Sequence, residues 1–210
     1  MAKSAGSAGA ATDGRALRWE HRRPELLAAA TDYVLEAGVA DLTLRPLGSA
    51  IGASITTLIR HFGSKDNLVR EVCQEILGET IEVFDQFWAR SDGDPVEVLR
   101  DLWNLWLAPE YSRQFVFFFE LYGLALREPE RYEWFANSVV HNWIAPLQRA
   151  LTTHGIAPRR ATTIGTLFLG IVRGLYLDFA ATDDVERVSA AYDLAMTLLE
   201  SALKADGPIK

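Results

Sequence analysis

Cysteine is nearly absent from this sequence, because Cys73 is the only one among 210 residues. A disulfide needs two cysteines and a cysteine-based zinc site needs several, so the chain can form neither within itself. A single thiol also fits a reducing compartment. We therefore expect a soluble, cytoplasmic protein whose core is stabilised by packing alone, in a sequence that is 49% hydrophobic.

Long apolar runs are missing too. The most apolar stretches, Phe115–Phe119 and Ile164–Val172, look too short or too rich in Gly and Thr to cross a bilayer. Residues 1–14 are small and polar and lack the apolar segment of a secretory signal. The sequence therefore predicts no membrane partner.

Common catalytic signatures are absent as well. The chain has four histidines but no HExxH, GxSxG, P-loop or Glu-x-x-His sequence. We therefore expect no enzymatic activity, no cofactor and no metal site. One alternative stays open: a non-catalytic carrier of hydrophobic ligands, or a small helical enzyme, that uses an aromatic cavity.

Charge is unevenly distributed within a net total of −7. Residues 1–72 hold 9 Lys and Arg against 8 Asp and Glu, whereas the rest of the chain holds 12 against 20. The acidic total argues against a protein that binds nucleic acid over its whole surface. A surface for phosphates is therefore expected only in the N-terminal third.

Helical periodicity runs through the chain, without the strict alternation that is typical of strands. We predict an all-α fold of about nine helices. Their expected positions are about residues 22–37, 44–51, 54–61, 64–90, 96–107, 112–126, 130–154, 159–180 and 184–204.

Two of these helices are short and separated by a turn at Gly52, which is the arrangement of a helix-turn-helix. Apolar residues on both would hold the pair together: Leu47, Ile51, Leu58 and Phe62. The other face of the second helix would remain free for a DNA major groove: Ile55, Thr56, Ile59 and Arg60.

Five segments extend this pattern: Leu26-Leu-Ala-Ala-Ala30, Gly38, Leu42-Thr-Leu-Arg45, Ala53-Ser-Ile-Thr-Thr-Leu58 and His61-Phe-Gly-Ser-Lys65-Asp-Asn-Leu68. Together they resemble the DNA-binding domain of the tetracycline-repressor (TetR) family over about residues 22–72. The resemblance implies a three-helix DNA-binding domain at residues 22–72 and a helical effector-binding and dimerisation domain at residues 73–210. Residues 1–21 would form a flexible arm. This arm would either contact DNA or be a plain charged tail.

The resemblance also implies which residues contact DNA. They are Thr43, Arg45, Ser54, Ile55, Thr56, Thr57, Ile59, Arg60, His61 and Lys65. The family usually has Tyr where this chain has Ile59, and often a polar or basic residue where it has Ile55. For His61, a partly buried structural role is the alternative, and for Arg60 a solvated surface position.

Aromatic residues are dense between residues 94 and 180, and an apolar cavity between helices would accommodate them. In this family the corresponding region resembles a small-molecule sensor. The candidate ligand-binding residues are Trp103, Trp106, Phe118, Tyr122, Trp134, Trp143 and Arg173. An ordinary packed core is the alternative.

The last two predicted helices look like the family's dimerisation pair. Small and apolar residues recur along them: Gly165, Leu167, Gly170, Ile171, Gly174, Leu175, Leu194, Leu198 and Leu199. The expected function is therefore that of a homodimeric, ligand-responsive regulator of transcription. We expect a repressor that a small apolar or aromatic effector releases from a palindromic double-stranded DNA operator.

Overall fold

The computed structural model describes residues 8–90 and 95–204, and every regular element in these ranges is a helix. This confirms the all-α prediction. The chain divides into two compact units, of which the first ends at Cys73 and the second begins at Gln74. The boundary expected from sequence lies between residues 72 and 73.

The first unit contains α1 (Ala8–Ala37), α2 (Leu44–Ala50), α3 (Ile55–Phe62) and the start of α4 (Lys65–Arg90). Buried apolar side chains from all four helices form its core: Leu26, Ala30, Val34, Leu47, Leu58, Phe62, Leu68 and Val72. Leu58 and Phe62 are one helical turn apart, so they bury a single face of α3. The opposite face of this helix is left to solvent.

Helix α1 is longer than the sequence predicted. It begins at Ala8 rather than near Arg22, so residues 8–21 of the expected flexible arm are helical. The prediction was wrong because it took Pro24 as a first-turn residue, whereas Pro24 lies inside α1, where the Ala, Leu and Arg around it favour the helix. Residues 1–7 of the arm, and the side chains of Arg15 and Arg18, lie outside the described residues.

The second unit contains the rest of α4 and the remaining helices. These are α5 (Pro95–Trp106), α6 (Pro109–Arg127), α7 (Glu133–Ala136), α8 (Asn142–Thr153), α9 (Pro158–Thr182) and α10 (Val185–Lys204). A π-helical turn, Asn137–His141, joins α7 to α8 without a break, so the sequence correctly predicted one continuous helix here. Proline starts α6 and α9, where its missing N–H has no helical partner to lose.

Helix α9 departs from the expectation about membrane spans. Among the described residues, α9 is the helix whose length and composition would allow it to cross a bilayer. The sequence analysis considered only the apolar stretch Ile164–Val172 inside it, which looks too short or too rich in Gly and Thr. One face of α9 is buried in the core of its own unit through Ile164, Phe168, Val172 and Tyr176. Packing explains the buried third of the apolar window, while Leu167 and Leu177 on the same helix are exposed.

Candidate functional site

The turn between α2 and α3 is held by a close backbone approach. The Ala53 amide donates a 2.8 Å hydrogen bond to the Gly48 carbonyl, and a Cβ added at Gly48 would lie 2.4 Å from the Ala53 oxygen. Real Cβ atoms are not found at such a distance, so position 48 accepts only glycine without a backbone shift. The angle between the two short helices is thereby fixed by their backbones.

The start of α3 is capped by Ser54. Its Oγ accepts a 3.0 Å hydrogen bond from the Thr57 amide and lies 2.8 Å from the Thr57 Oγ1. Thr43 occupies the corresponding position before α2 but makes no side-chain capping bond. The hydroxyls of Ser54 and Thr57 are therefore engaged with one another, whereas Thr43 and Thr56 are exposed.

The solvent face of α3 presents two large apolar side chains. Ile55 is 39% exposed and Ile59 is 43% exposed, and the spacing of four residues places them side by side. Thr56 and Arg60 lie on the same exposed part of the helix. This is the face that the sequence predicted for a major groove, and exposed apolar residues of this kind typically mark a macromolecular partner.

Basic groups flank this face. Arg45 is exposed in the first turn of α2 and forms no ion pair with any described residue. Lys65 begins α4 and is half-buried, because its Nζ donates a 2.8 Å hydrogen bond to the Leu42 carbonyl. The Lys65 ammonium keeps two further protons for an acceptor outside the domain.

His61 departs from the expected role. Its side chain is only 9% exposed, and its ring lies 6.2 Å from that of Phe62, so it belongs to the packed side of α3. Burial lowers the pKa of His61, and the nearby charges of Arg60, Arg23 and Arg22 lower it further. The structural alternative for His61 therefore fits its position better than a direct contact with DNA.

Two contacts fix the end of α3 against its neighbours. The Asn67 Nδ2 donates a 2.9 Å hydrogen bond to the Phe62 carbonyl just where Gly63 ends the helix. Arg23 of α1 forms a 2.6 Å ion pair with Glu71 of α4 and places its guanidinium 5.6 Å from the centre of the Phe62 ring. Sequence reasoning missed Arg23 in this role because the two partners are far apart in the chain.

A cavity of about 50 Å³ lies among α4, α5, α6, the π-helical turn, α8 and α9 in the second unit. Five of the seven predicted ligand residues line it: Trp106, Phe118, Tyr122, Trp143 and Arg173. Four further aromatic or polar residues that the prediction missed also line it: Thr80, Gln114, Phe115 and Phe119. Gln114 precedes Phe118 by four residues on α6, so helical spacing could have identified it.

The remaining two predicted ligand residues are placed elsewhere. Trp103 is 2% exposed and stacks on Tyr192 at a centroid distance of 4.5 Å, so it belongs to the packing between α5 and α10. Trp134 lies on α7 beside Phe135 and does not line the cavity. Sequence spacing alone could not separate aromatic residues of the core from those of the cavity.

The last two helices carry an exposed apolar surface. Leu167 on α9 is 56% exposed, and Leu194 and Leu198 on α10 are 62% and 64% exposed. Gly170 and Gly174 have open space at their Cβ positions, whereas Gly165 packs against Leu147 of α8 and Leu199 is buried. The residues predicted for the dimer interface thus fall into two groups. Some are exposed, and the others belong to the core of the second unit.

The fold and the first unit define an all-helical protein with an N-terminal helix-turn-helix domain. Residues 26–72 match the family described as bacterial regulatory proteins, tetR family. The chain is also 32% identical over 79 residues to the HTH-type transcriptional regulator BetI of Stenotrophomonas maltophilia (strain R551-3). This match covers 38% of the chain and 40% of that relative's length.

Solved structures have the same fold over most of the chain. A transcriptional regulator from Rhodococcus sp. Rha1 has a TM-score of 0.71 at 22% identity, covering 86% of this chain and 96% of that one. A TetR-family transcriptional regulator from Pectobacterium atrosepticum has a TM-score of 0.66 at 21% identity, covering 91% and 98% of the two chains. The family match therefore lies within the first unit, and the two solved structures show the fold of the chain.

Proposed function

We propose that this protein is a homodimeric repressor that binds an operator through α3 and is released by a small molecule bound in the second unit. The observation that carries the DNA-binding part is the solvent face of α3, where Ile55 and Ile59 are exposed beside Thr56 and Arg60. Isoleucine side chains can contact thymine methyl groups in a major groove. The same face has no role in the core of its own domain.

Arg45 and Lys65 support this proposal because they lie at the starts of the two helices that flank α3. Side chains at such positions reach phosphates and fix the orientation of a protein on the duplex, without reading sequence themselves. The acidic residues 73–210 disfavour contacts with DNA outside the first unit. Affinity for phosphates would then be concentrated in the first unit.

The DNA-binding proposal can be tested by selection. The full-length protein is incubated with a random duplex library, and bound sequences are enriched and titrated by fluorescence anisotropy at several salt concentrations. We expect an inverted repeat, because a two-fold symmetric dimer reads two half-sites. Sequence-independent binding alone would contradict the proposal.

The phosphate contacts require matched variants. Arg45→Ala and Lys65→Ala should each weaken binding to the selected operator and to unrelated duplexes alike, and each should reduce the salt slope by about one. Arg149→Ala removes an exposed arginine of α8 and serves as the control. Equal affinity for Arg45→Ala, Lys65→Ala and Arg149→Ala would contradict these assignments.

Effector release is proposed from the cavity and from the course of α4. This helix contributes Leu68 to the core of the first unit and Thr80 to the cavity of the second. A ligand that moves the cavity end of α4 would shift the equilibrium between two positions of the helix, which is a known form of allosteric transition. Loss of operator binding on addition of a cavity ligand would support repression, whereas gain of binding would identify an activator.

A carrier or an enzyme is the competing function. Within the described residues, no group of three or more His, Cys, Asp or Glu could hold a metal ion. The solvent face of α3, where Ile55 and Ile59 are exposed, has no use in a carrier or an enzyme, so the regulatory proposal accounts for more of the structure.

A further inference from the structure

Two side chains that line the cavity, those of Trp106 and Arg173, each carry a buried hydrogen-bond donor without an acceptor among the described residues. The Nε1 of Trp106 belongs to a side chain that is 2% exposed, and it has no hydrogen-bond partner among the described residues. Arg173 is half-buried, and its Nη2 atom is buried without a hydrogen-bond partner among the described residues. Buried donors are nearly always satisfied in folded proteins, so two of them in one cavity indicate that an acceptor is missing.

The charge of Arg173 strengthens this reading. No carboxylate of the described residues pairs with its guanidinium, which lies 5.3 Å from the centre of the Tyr122 ring. Desolvation lowers the pKa of Arg173, although an arginine stays protonated. Burying a charge without a counter-charge is costly, so the site favours an anion.

Other occupants satisfy the site less well. A water molecule could accept from Trp106 but would leave the charge of Arg173 uncompensated. A cation would gain from the aromatic faces of Phe115, Phe118 and Trp143, yet the guanidinium would repel it at close range. A carboxylate accepts two hydrogen bonds from arginine in a planar arrangement and a third from the indole.

The wall of the cavity has one unusual element. Val139 lines the cavity and lies in the π-helical turn Asn137–His141. Such turns are rare and occur frequently at functional sites, where they interrupt regular helical packing. A ligand larger than the cavity of about 50 Å³ would have to displace part of this wall.

We infer that the cavity binds a small organic carboxylate, with its carboxylate on Arg173 and Trp106 and its aromatic or aliphatic body among the phenylalanines. This inference rests on the proposed role of the second unit as the effector-binding part. It goes beyond that role by naming the charge and the polar group of the ligand. Neutral and cationic compounds of the same shape are expected to bind more weakly.

The first test uses the unmodified, full-length protein. Isothermal titration calorimetry compares phenylacetate with phenylacetamide and 2-phenylethylammonium, and octanoate with octanamide. We expect each carboxylate to bind at least about tenfold more tightly than its neutral or cationic partner, because hydrogen bonds to charged groups are the stronger ones. Absence of saturable binding for both carboxylates, or equal binding by the amides, would overturn the inference.

The second test removes the charge. Arg173→Met keeps an unbranched side chain without the guanidinium, and it should weaken carboxylate binding by about tenfold or more, while the difference between acid and amide disappears. Arg173→Lys should retain part of the selectivity, since lysine keeps the charge but loses the planar pair of donors. Arg159→Met, an exposed arginine of the same helix, should bind as the unmodified protein does.

A failure of the carboxylates to bind can be distinguished from a failure of the proposed DNA-binding function. Selection of an operator is measured without any ligand, so DNA binding can succeed while the carboxylates fail to bind. In that case the inference is wrong and the DNA-binding proposal stands. If an amide or an ammonium compound binds best and releases the operator, the proposed effector site is supported. In that case the inferred preference of this site for an anion is wrong.

Discussion

Gly48 and Ala53 are joined by a 2.8 Å hydrogen bond from the Ala53 amide to the Gly48 carbonyl, across the turn that sets α3 against α2. The contact leaves no space for a Cβ at position 48, and it therefore links one glycine of the sequence to the orientation of α3. The constraint on Gly48 is a steric one between two backbone segments and does not depend on a positive φ.

We predict that Gly48→Ala destabilises the protein by about 1–3 kcal/mol, since the neighbouring backbone must shift to admit the methyl group. Urea denaturation followed by circular dichroism measures the change. Gly123→Ala is the control, because its Cβ would meet open space in α6 and alanine favours a helix. Unchanged stability of Gly48→Ala would contradict the close approach.

Adjacent residues of α3 should behave in opposite ways. Leu58 is 1% exposed, so Leu58→Ala should cost about 2–5 kcal/mol of unfolding free energy. Ile59 is 43% exposed, so Ile59→Ala should change that energy by less than about 0.5 kcal/mol while weakening operator binding. Denaturation and anisotropy measured on both variants separate the two roles, and a large loss of stability in Ile59→Ala would show that its side chain belongs to the core.

The exposed leucines of α10 predict a change in assembly. Leu194→Asp and Leu198→Asp should convert a dimer into monomers, because each would bury an unpaired charge in the proposed interface. Sedimentation equilibrium gives the mass of each variant. Leu126→Asp, at a position that is 84% exposed on α6, should leave the mass unchanged. A monomeric unmodified protein would contradict the interface directly.

His61 predicts a pH dependence of stability. Its pKa is lowered from 6.5 in the folded state, so the unfolded chain binds a proton first as the pH falls. Stability should therefore decrease as the pH falls through about 6.5, until the folded state is protonated as well. Chemical denaturation between pH 5 and pH 8, about the range in which histidine titrates, measures this loss. The loss should be smaller in His61→Gln, and identical profiles would contradict the assignment.

Periodicity was enough to predict the helices of the second unit, because their apolar faces repeat at helical spacing and their ends coincide with proline and glycine. It failed at α1, since Pro24 suggested a boundary that the surrounding helix formers override. The solvent face of α3 was also predictable, because Leu58 and Phe62 define the buried side and leave Ile55 and Ile59 on the other.

The sequence by itself determined the helical class, the position of the helix-turn-helix and the apolar residues that α3 exposes, because each follows from local spacing. Only the tertiary structure decided that His61 is buried, that Trp103 packs on Tyr192 and that Trp106 and Arg173 line one cavity. These relations join residues far apart in the chain. Spacing within one helix carries no information about which neighbouring helix will face each side chain.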